Sequence, residues 1–385
     1  MAVDFYLTNA CNLHCRFCFN LDRSDVPGID LSDARDLLDA AYEQGHRYIS
    51  ITGGEPFIYK NIFQVLRYAH DKGYWIQLLT HGGLIDEKKI DQLREFWRLR
   101  VRISLDGAKP ETNDALRGSG TFTMATAAIE RVASAGLNVG IGMTVSDRNI
   151  DEIPEVIQYC LDKGVSFVRF SPVARVKKGR NANINAALHE HMLRAIIHQT
   201  ILNRARIDAP TLNRSSNQND IDILTTRRCT AGTGFLSVTP DKKLLPCPLI
   251  YEHSDIGALE YTSPASFDQL AAKMTKLFEE TSPKLKGMCG TCEYKTVCHG
   301  GCLAEKISFE RDLSDEQPVC TKKILEHLRP DFDVKQFDWV VEGWMARLLN
   351  SVEKFEGTAC MRQAPYWSMN FRSDSVWGSS PARFH

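Results

Sequence analysis

Residues 3–18 read VDFYLTNACNLHCRFC. The run Val3–Leu7 has the length and residue preference of a buried strand. Three cysteines follow it directly, Cys11, Cys15 and Cys18. The same kind of run recurs at Tyr48–Thr52, Trp75–Leu79, Val101–Leu105, Val139–Val145 and Phe167–Phe170. Amphipathic helical patterns separate the runs, among them Leu31–Gln44, Thr123–Ala135 and Ile153–Lys163, stopping at Gly45, Gly136 and Gly164. Ser32 is the expected N-cap of the first. Strands alternating with helices predict an α/β fold with a parallel sheet and right-handed crossovers. Six such units predict a partial (β/α)6 TIM-like barrel whose site lies at the C-terminal ends of the strands. The three cysteines stand at such an end.

The repeating units span residues 1–175. From 176 to 228 the pattern breaks into a connection, with a loop at Lys177–Arg180, a helix at Ala186–Arg204 and a polar loop at Ser215–Asp220. Residues 229–325 read as a small cysteine-rich domain, and 326–385 as a C-terminal extension that carries Trp339, Trp344, Trp367 and Trp377. Its last stretch, 368–385, is rich in Ser and Arg and reads as mobile.

With 43% hydrophobic and 25% charged residues, the composition is that of a globular protein with a large core. A net charge of −1 argues against nucleic acid or an anionic membrane as partner. No apolar run approaches the length of a membrane helix, and the N-terminus has no signal-peptide pattern, so a cytoplasmic location is expected. Twelve cysteines in 385 residues are too dilute for a disulfide scaffold. Their clustering points instead to metal or redox chemistry. Cys160, within a helical pattern, reads as a small core residue.

Three thiolates on one loop do not complete a four-ligand site. Zinc with a distant fourth ligand is one reading. An iron–sulfur cluster with one iron left open is the other. The stretch Cys11-Asn-Leu-His-Cys15-Arg-Phe17-Cys18 resembles the signature of radical S-adenosylmethionine (SAM) enzymes, including the aromatic Phe17. The resemblance implies a [4Fe–4S] cluster on Cys11, Cys15 and Cys18 whose open iron binds SAM. The reduced cluster would cleave SAM to methionine and a 5′-deoxyadenosyl radical that abstracts a substrate hydrogen.

Gly53, Gly54, Glu55 and Pro56 end the second strand. The glycines permit close approach of a ligand, and Glu55 offers an acceptor for an ammonium group. The set resembles the family's motif for the SAM amino group. Ser104 and Asp106 at the fourth strand, with Arg117 in the RGSGTF stretch, resemble a pattern of members that act on peptides. The types suit ribose and carboxylate respectively. Phe17 is placed near adenine or in the core; Thr144 and Asn149 are weaker candidates.

A second set, Cys229, Cys247, Cys289, Cys292, Cys298, Cys302 and Cys320, resembles the SPASM extension that follows the barrel in many peptide-modifying relatives. Zinc-ribbon structure is the alternative. The resemblance implies two auxiliary iron–sulfur clusters, one on Cys229, Cys247 and Cys302, the other on Cys289, Cys292, Cys298 and Cys320. Two fully thiolate-ligated [4Fe–4S] clusters need eight thiolates and this region has seven, which leaves an open iron or another ligand; Cys360, His299 and His253 are the candidates. Lys242 replaces the usual glycine of the opening hairpin, which predicts a different turn there.

The family implies an electron donor such as a flavodoxin or ferredoxin and leaves the substrate open. Pro248 stands where sulfatase maturases carry an Asp, which argues against that activity. A ribosomal peptide undergoing crosslinking or other oxidative modification is the favoured substrate. A haem-pathway or other small-molecule substrate is the alternative. With the cluster motif beginning at residue 11, a leader-binding domain is not expected upstream, so a peptide would need a separate recognition protein or direct binding. Two other classes, an electron carrier without SAM chemistry and a zinc-ribbon nucleic-acid binder, fit the motifs and charge less well. No acid or base is identifiable; Asp106, Glu55, His81 and Tyr251 merely lie near expected strand ends or clusters.

Overall fold

A computed structural model describes residues 1–20, 28–203, 205–208, 229–250, 256–341 and 367–371. Six strands run parallel in sequence order: β1 (Ala2–Tyr6), β2 (Tyr48–Thr52), β3 (Trp75–Thr80), β4 (Leu99–Ser104), β5 (Val139–Val145) and β6 (Phe167–Pro172). The register is continuous, Phe5 lying beside Ile51 and Ile51 beside Leu78. Helices α1 (Leu31–Glu43), α2 (Ile62–Lys72), α3 (Glu87–Leu93), α4 (Pro110–Arg117), α5 (Thr121–Ser134) and α6 (Ile153–Asp162) fill the crossovers. The barrel does not close, because β1 and β6 are not neighbours.

The strand alternation sorts the two faces of the sheet. Phe5, Ile51, Leu78, Ile103 and Phe170 are fully buried in the hydrophobic core, each such side chain contributing about 1.5–3 kcal/mol. The alternate positions are polar: Asp4, Ser50, Gln77 and Arg100 stand in register across β1 to β4. The inner face is therefore prepared for a polar cavity.

Both free edges are extended by later chain. On the β1 side, β8 (Phe235–Val238) adds in parallel, followed by β9 (Lys243–Leu245) and β10 (Leu259–Glu260). On the β6 side, β11 (Trp367–Phe371) adds antiparallel and pairs in turn with β7 (Ile207–Asp208). The cysteine-rich region thus begins as a continuation of the barrel sheet. The stretch expected to be mobile contributes residues 368–371 to a strand, and its remainder lies outside the described residues. Helix α7 (Ala186–Leu202) packs on α6.

Two local expectations need correction. Helix α1 starts one residue before Ser32, after an extended Asp30 (φ −67°, ψ 147°), so Ser32 lies past the cap position. At Lys242 the hairpin does not change its turn; Lys242 itself adopts φ 61°. Its ammonium reaches Asp33 Oδ2 at 3.2 Å across a half-exposed surface. The left-handed backbone costs a non-glycine residue more than that pair returns. Lys242→Gly is therefore expected to stabilise the chain by about 0.5–1 kcal/mol, read from the midpoint of urea unfolding.

His46 joins the barrel to the cysteine-rich region. It is buried, with its ring 5.8 Å from that of Phe267 on helix α8 (Ala265–Thr281). Burial, helped by the nearby amino terminus, pushes its pKa down to about 3. The unfolded chain takes up a proton below about pH 6.5 while the folded chain does not. This contribution is therefore present above that pH and is lost as pH falls towards 3. Between pH 6 and pH 4 the parent should lose about 1 kcal/mol per pH unit more than His46→Gln, measured by denaturant unfolding at the two pH values.

Candidate active site

The loop carrying the three cysteines lies across the C-terminal end of β2. Gly54 N–H donates to Thr8 O at 2.6 Å and Glu55 N–H to Ala10 O at 2.8 Å. A Cβ on Gly54 would sit 1.9 Å from Ala10 O, and one on Gly53, at φ 134°, 2.2 Å from Thr8 O. Both glycines line the cavity, yet the approach that requires them is to the cysteine loop rather than to a ligand. Pro56 is buried at the start of a short 3₁₀ turn, Pro56–Ile58, away from the cavity wall.

Glu55 caps that turn. Its Oε1 accepts from Phe57 N–H (3.2 Å) and Thr80 Oγ1 (2.7 Å), and its Oε2 from His81 N–H (3.0 Å). The carboxylate reaches the cavity with one of about four acceptor positions left for an incoming ammonium group. The His81 Nε2 lies 2.8 Å from Asn12 Oδ1 and 3.3 Å from Glu55 Oε2. Burial lowers the His81 pKa, which keeps the ring neutral at physiological pH.

Ser104 and Arg117 also line the cavity, but Asp106 does not. Asp106 is fully buried, ion-paired with Arg117 Nε, and accepts from Thr144 N–H at 2.6 Å. Its backbone is fixed by Asn113 and by Asn149, whose Nδ2 donates to Asp106 O at 2.8 Å. Asp106 is thus an anchor rather than a ribose contact, and Asn149 locks the loop behind it. Burial disfavours the Arg117 charge, but the Asp106 carboxylate and the Cys15 sulfur outweigh it and raise the guanidinium pKa. Held this way, Arg117 Nη1 lies 3.9 Å from Cys15 Sγ, and its guanidinium carbon lies 5.7 Å from the Phe17 ring centre. Arg16 N–H donates to Leu116 O, so α4 braces the cysteine loop through backbone as well. Phe17 and Thr144 line the cavity.

This cavity, of about 290 Å³, brings Cys11, Cys15 and Cys18 to one wall. Its floor holds Arg102 and Arg169 from the inner face of β4 and β6. Between those strands stands Gly142 of β5, and a Cβ there would lie 3.3 Å from Arg102 Nε. Period-two alternation of Arg100, Arg102 and Ser104 with Val101 and Ile103 was the available sequence signal for the arginines. The far wall comes from the cysteine-rich region: Pro248, Leu249, Cys302, Ala304 and Glu305. Glu305 bonds Gln317, and its Oε1 lies 3.8 Å from Nε2 of the buried His189 on α7. Neither residue carries a local sequence signal, because the pair forms only when α7 meets residues over a hundred positions later.

The remaining cysteines fall into two neighbourhoods. Cys302 lies near enough to Cys229 and Cys247, and Cys289 near enough to Cys292 and Cys320, for a charge on one sulfur to act on the next. Burial raises the thiols of Cys229, Cys289 and Cys302, and pushes that of Cys247 up to about 12. Cys298 ends a short helix, α10 (Lys295–Cys298), and joins Cys289 around the fully buried Lys306. His299 is occupied with Ser282 Oγ at 2.8 Å. Cys160 is buried in the core on α6. Tyr251, His253 and Cys360 lie outside the described residues. Among the described residues no three His, Cys, Asp or Glu side chains are placed to hold a single metal ion. A cubane makes a different demand, since each thiolate binds a different iron.

Residues 5–160 match the Radical SAM superfamily. The barrel is that of the radical SAM enzymes. The chain is 29% identical over 333 residues to the AdoMet-dependent heme synthase of Methanosarcina barkeri, covering 82% of this chain and 94% of that protein. It is 27% identical over 331 residues to the mycofactocin maturase MftC of Mycobacterium tuberculosis, covering 82% and 81% respectively. Native anSMEcpe with bound AdoMet shares the fold, with a TM-score of 0.65 at 20% identity over 92% of this chain and all of that one. Streptococcus suis SuiB bound to S-adenosylmethionine likewise has a TM-score of 0.65 at 17% identity, covering 83% and 76%.

The residues present fit the groups that the family implies. At the barrel mouth, three thiols, a carboxylate with a remaining acceptor position and a fixed guanidinium face one cavity. In the cysteine-rich region, the buried ammonium of Lys306, with no carboxylate of the described residues within ion-pair distance, stands near Cys229 and Cys289, whose thiols burial raises until a metal takes their protons. No helix among the described residues is long and apolar enough to cross a membrane.

Proposed function

We propose that this chain is a radical SAM enzyme that oxidatively modifies a peptide reaching the cavity between the barrel and the cysteine-rich region. The supporting observation is the shared wall. Cys15, Glu55 and Arg117 face Cys302, Glu305 and Leu249 across one cavity, so a bound substrate would touch both halves of the chain. Cys11, Cys15 and Cys18 would hold the SAM-binding [4Fe–4S] cluster, Glu55 and Arg117 would orient the amino and carboxylate ends of SAM, and Phe17 and Ser104 would flank the nucleoside. The cluster, when bound, supplies the electron that splits SAM into methionine and a 5′-deoxyadenosyl radical. Buried Phe57 and Tyr59 behind Glu55 help keep bulk water from the site. Cys229, Cys247 and Cys302, and separately Cys289, Cys292, Cys298 and Cys320, would hold the two auxiliary clusters. The division into barrel (1–175), connection (176–228), SPASM region (229–325) and extension (326–385), and the supply of electrons by a flavodoxin or ferredoxin, belong to the same reading.

SuiB, which shares the fold, has been crystallised bound to its precursor peptide SuiA, and MftC is a maturase. A second reading, a haem-type small molecule, is favoured by the match over 94% of the heme synthase. The floor arginines Arg102 and Arg169 suit an acidic group on either kind of substrate. The test is mass spectrometry of candidate peptides co-expressed with the parent chain or with Cys15→Ala. The peptide reading predicts loss of mass from one peptide only with the parent. Unchanged peptides alongside a modified iron porphyrin under the same conditions would contradict it.

A further inference from the structure

Lys306 lies on the short helix α11 (Leu303–Ser308), four residues after Cys302, and is fully buried. Its ammonium donates to Leu313 O at 2.7 Å, and no carboxylate of the described residues lies within ion-pair distance of it. Gly300, between Cys298 and Cys302, leaves the space it occupies: a Cβ there, at φ 76°, would come within 2.7 Å of Lys306 Nζ and 2.4 Å of Leu285. An ammonium with one neutral acceptor is costly to bury, and something anionic must face it for the position to be tolerated. Burial is the largest influence on Lys306 and lowers its pKa; what opposes burial is negative charge on the sulfurs of Cys289, Cys298 and Cys229 and on the carboxylate of Asp315. Asp315 is itself engaged by Lys286 at 3.1 Å. The sulfurs belong to both auxiliary neighbourhoods, and as free thiols they would be neutral, leaving the cation uncompensated.

We propose that Lys306 is a positioning residue, a fixed positive charge shared by the two auxiliary clusters that raises their reduction potentials. The inference rests on the auxiliary-cluster reading above. Each one-electron reduction, by dithionite or by a protein donor, adds a negative charge to a cluster, and a buried cation stabilises the reduced form over the oxidised one. The cluster of Cys289, Cys292, Cys298 and Cys320 should respond most. The cluster of the barrel mouth, behind another set of ligands, should not respond.

The test is an EPR-monitored redox titration of the full-length, cluster-loaded protein, comparing the parent with Lys306→Gln and Lys306→Arg. The barrel-mouth signal is recognised by its change on adding SAM. Lys306→Gln should lower an auxiliary midpoint by at least about 59 mV, a tenfold fall in the one-electron equilibrium constant. Lys306→Arg should stay near the parent, and the SAM-responsive midpoint should be unchanged in all three. Iron loss in Lys306→Gln with retention in Lys306→Arg would also support a role for charge. Equal midpoints in parent and Lys306→Gln, or equal shifts or equal iron loss in both variants, would overturn the proposal. A parent chain holding only about four irons, with no signal beyond the SAM-responsive one, would instead overturn the auxiliary-cluster reading on which it rests.

Discussion

Gly54→Ala is expected to abolish SAM cleavage although the added methyl bears no chemistry of its own. The new Cβ would lie 1.9 Å from Ala10 O, 2.4 Å from Ala10 C and 2.7 Å from Asn9 O. All three are backbone atoms and cannot rotate away. The loop must lift off β2, losing the bonds from Gly54 and Glu55 N–H to Thr8 and Ala10, and with it the placement of Cys11 and Cys15. Overpacking of this kind costs about 1–3 kcal/mol, which a large barrel tolerates. The loss should therefore fall on the cluster: 5′-deoxyadenosine formation down by about a hundredfold or more, as for a misplaced catalytic group, with iron lost from the barrel mouth alone. Gly136→Ala is the control. It forces a positive φ, 72°, on alanine, a strain that Gly54→Ala does not impose, but its Cβ meets nothing within 4 Å. It should cost stability and leave SAM cleavage intact.

The second large effect concerns Asp106. Its loss leaves the Arg117 guanidinium buried without its ion-pair partner, a change that typically costs about 3–5 kcal/mol. Thr144 N–H loses its acceptor at the same time. Asp106→Ala should lower the unfolding free energy by that amount in urea titrations and weaken SAM binding, because the guanidinium is no longer held beside Cys15 and Phe17. Removing the cation as well tests the cause. Asp106→Ala with Arg117→Met should recover much of the lost stability but none of the SAM affinity. A double variant no more stable than Asp106→Ala would show that Asp106 acts through its backbone neighbours instead.

The six strands and their order were legible because each is a short apolar run closed by a glycine or by turn residues, and because local pattern suffices where neighbours in sequence pair in space. Both sheet extensions were not. β8 pairs with β1 across more than two hundred residues, and β11 returns from the far end of the chain to β6; no local signal encodes such partners. Among site residues, the three N-terminal cysteines, Gly53, Gly54, Glu55, Ser104 and Arg117 line one cavity, while their arrangement within it depends on tertiary contact. Asp106 turned out to serve Arg117, the paired glycines to admit the cysteine loop, and Pro56 to start a turn. Alternation marked Arg102 as an inner-face residue, but only the curvature of the barrel made that face a cavity shared with Arg169. The cysteines of the C-terminal region were plain in sequence, but Lys306 between them was one lysine among many until its burial was known.

The central claim is that Cys11, Cys15 and Cys18 carry a cluster that splits SAM. It is tested most directly by anaerobic incubation of the purified, iron-loaded chain with SAM and dithionite, with 5′-deoxyadenosine measured by mass spectrometry in the parent and in Cys15→Ala. Steady formation by the parent and none by the variant is the predicted result. Equal formation by both, or none from a parent whose iron content is complete, would contradict the account.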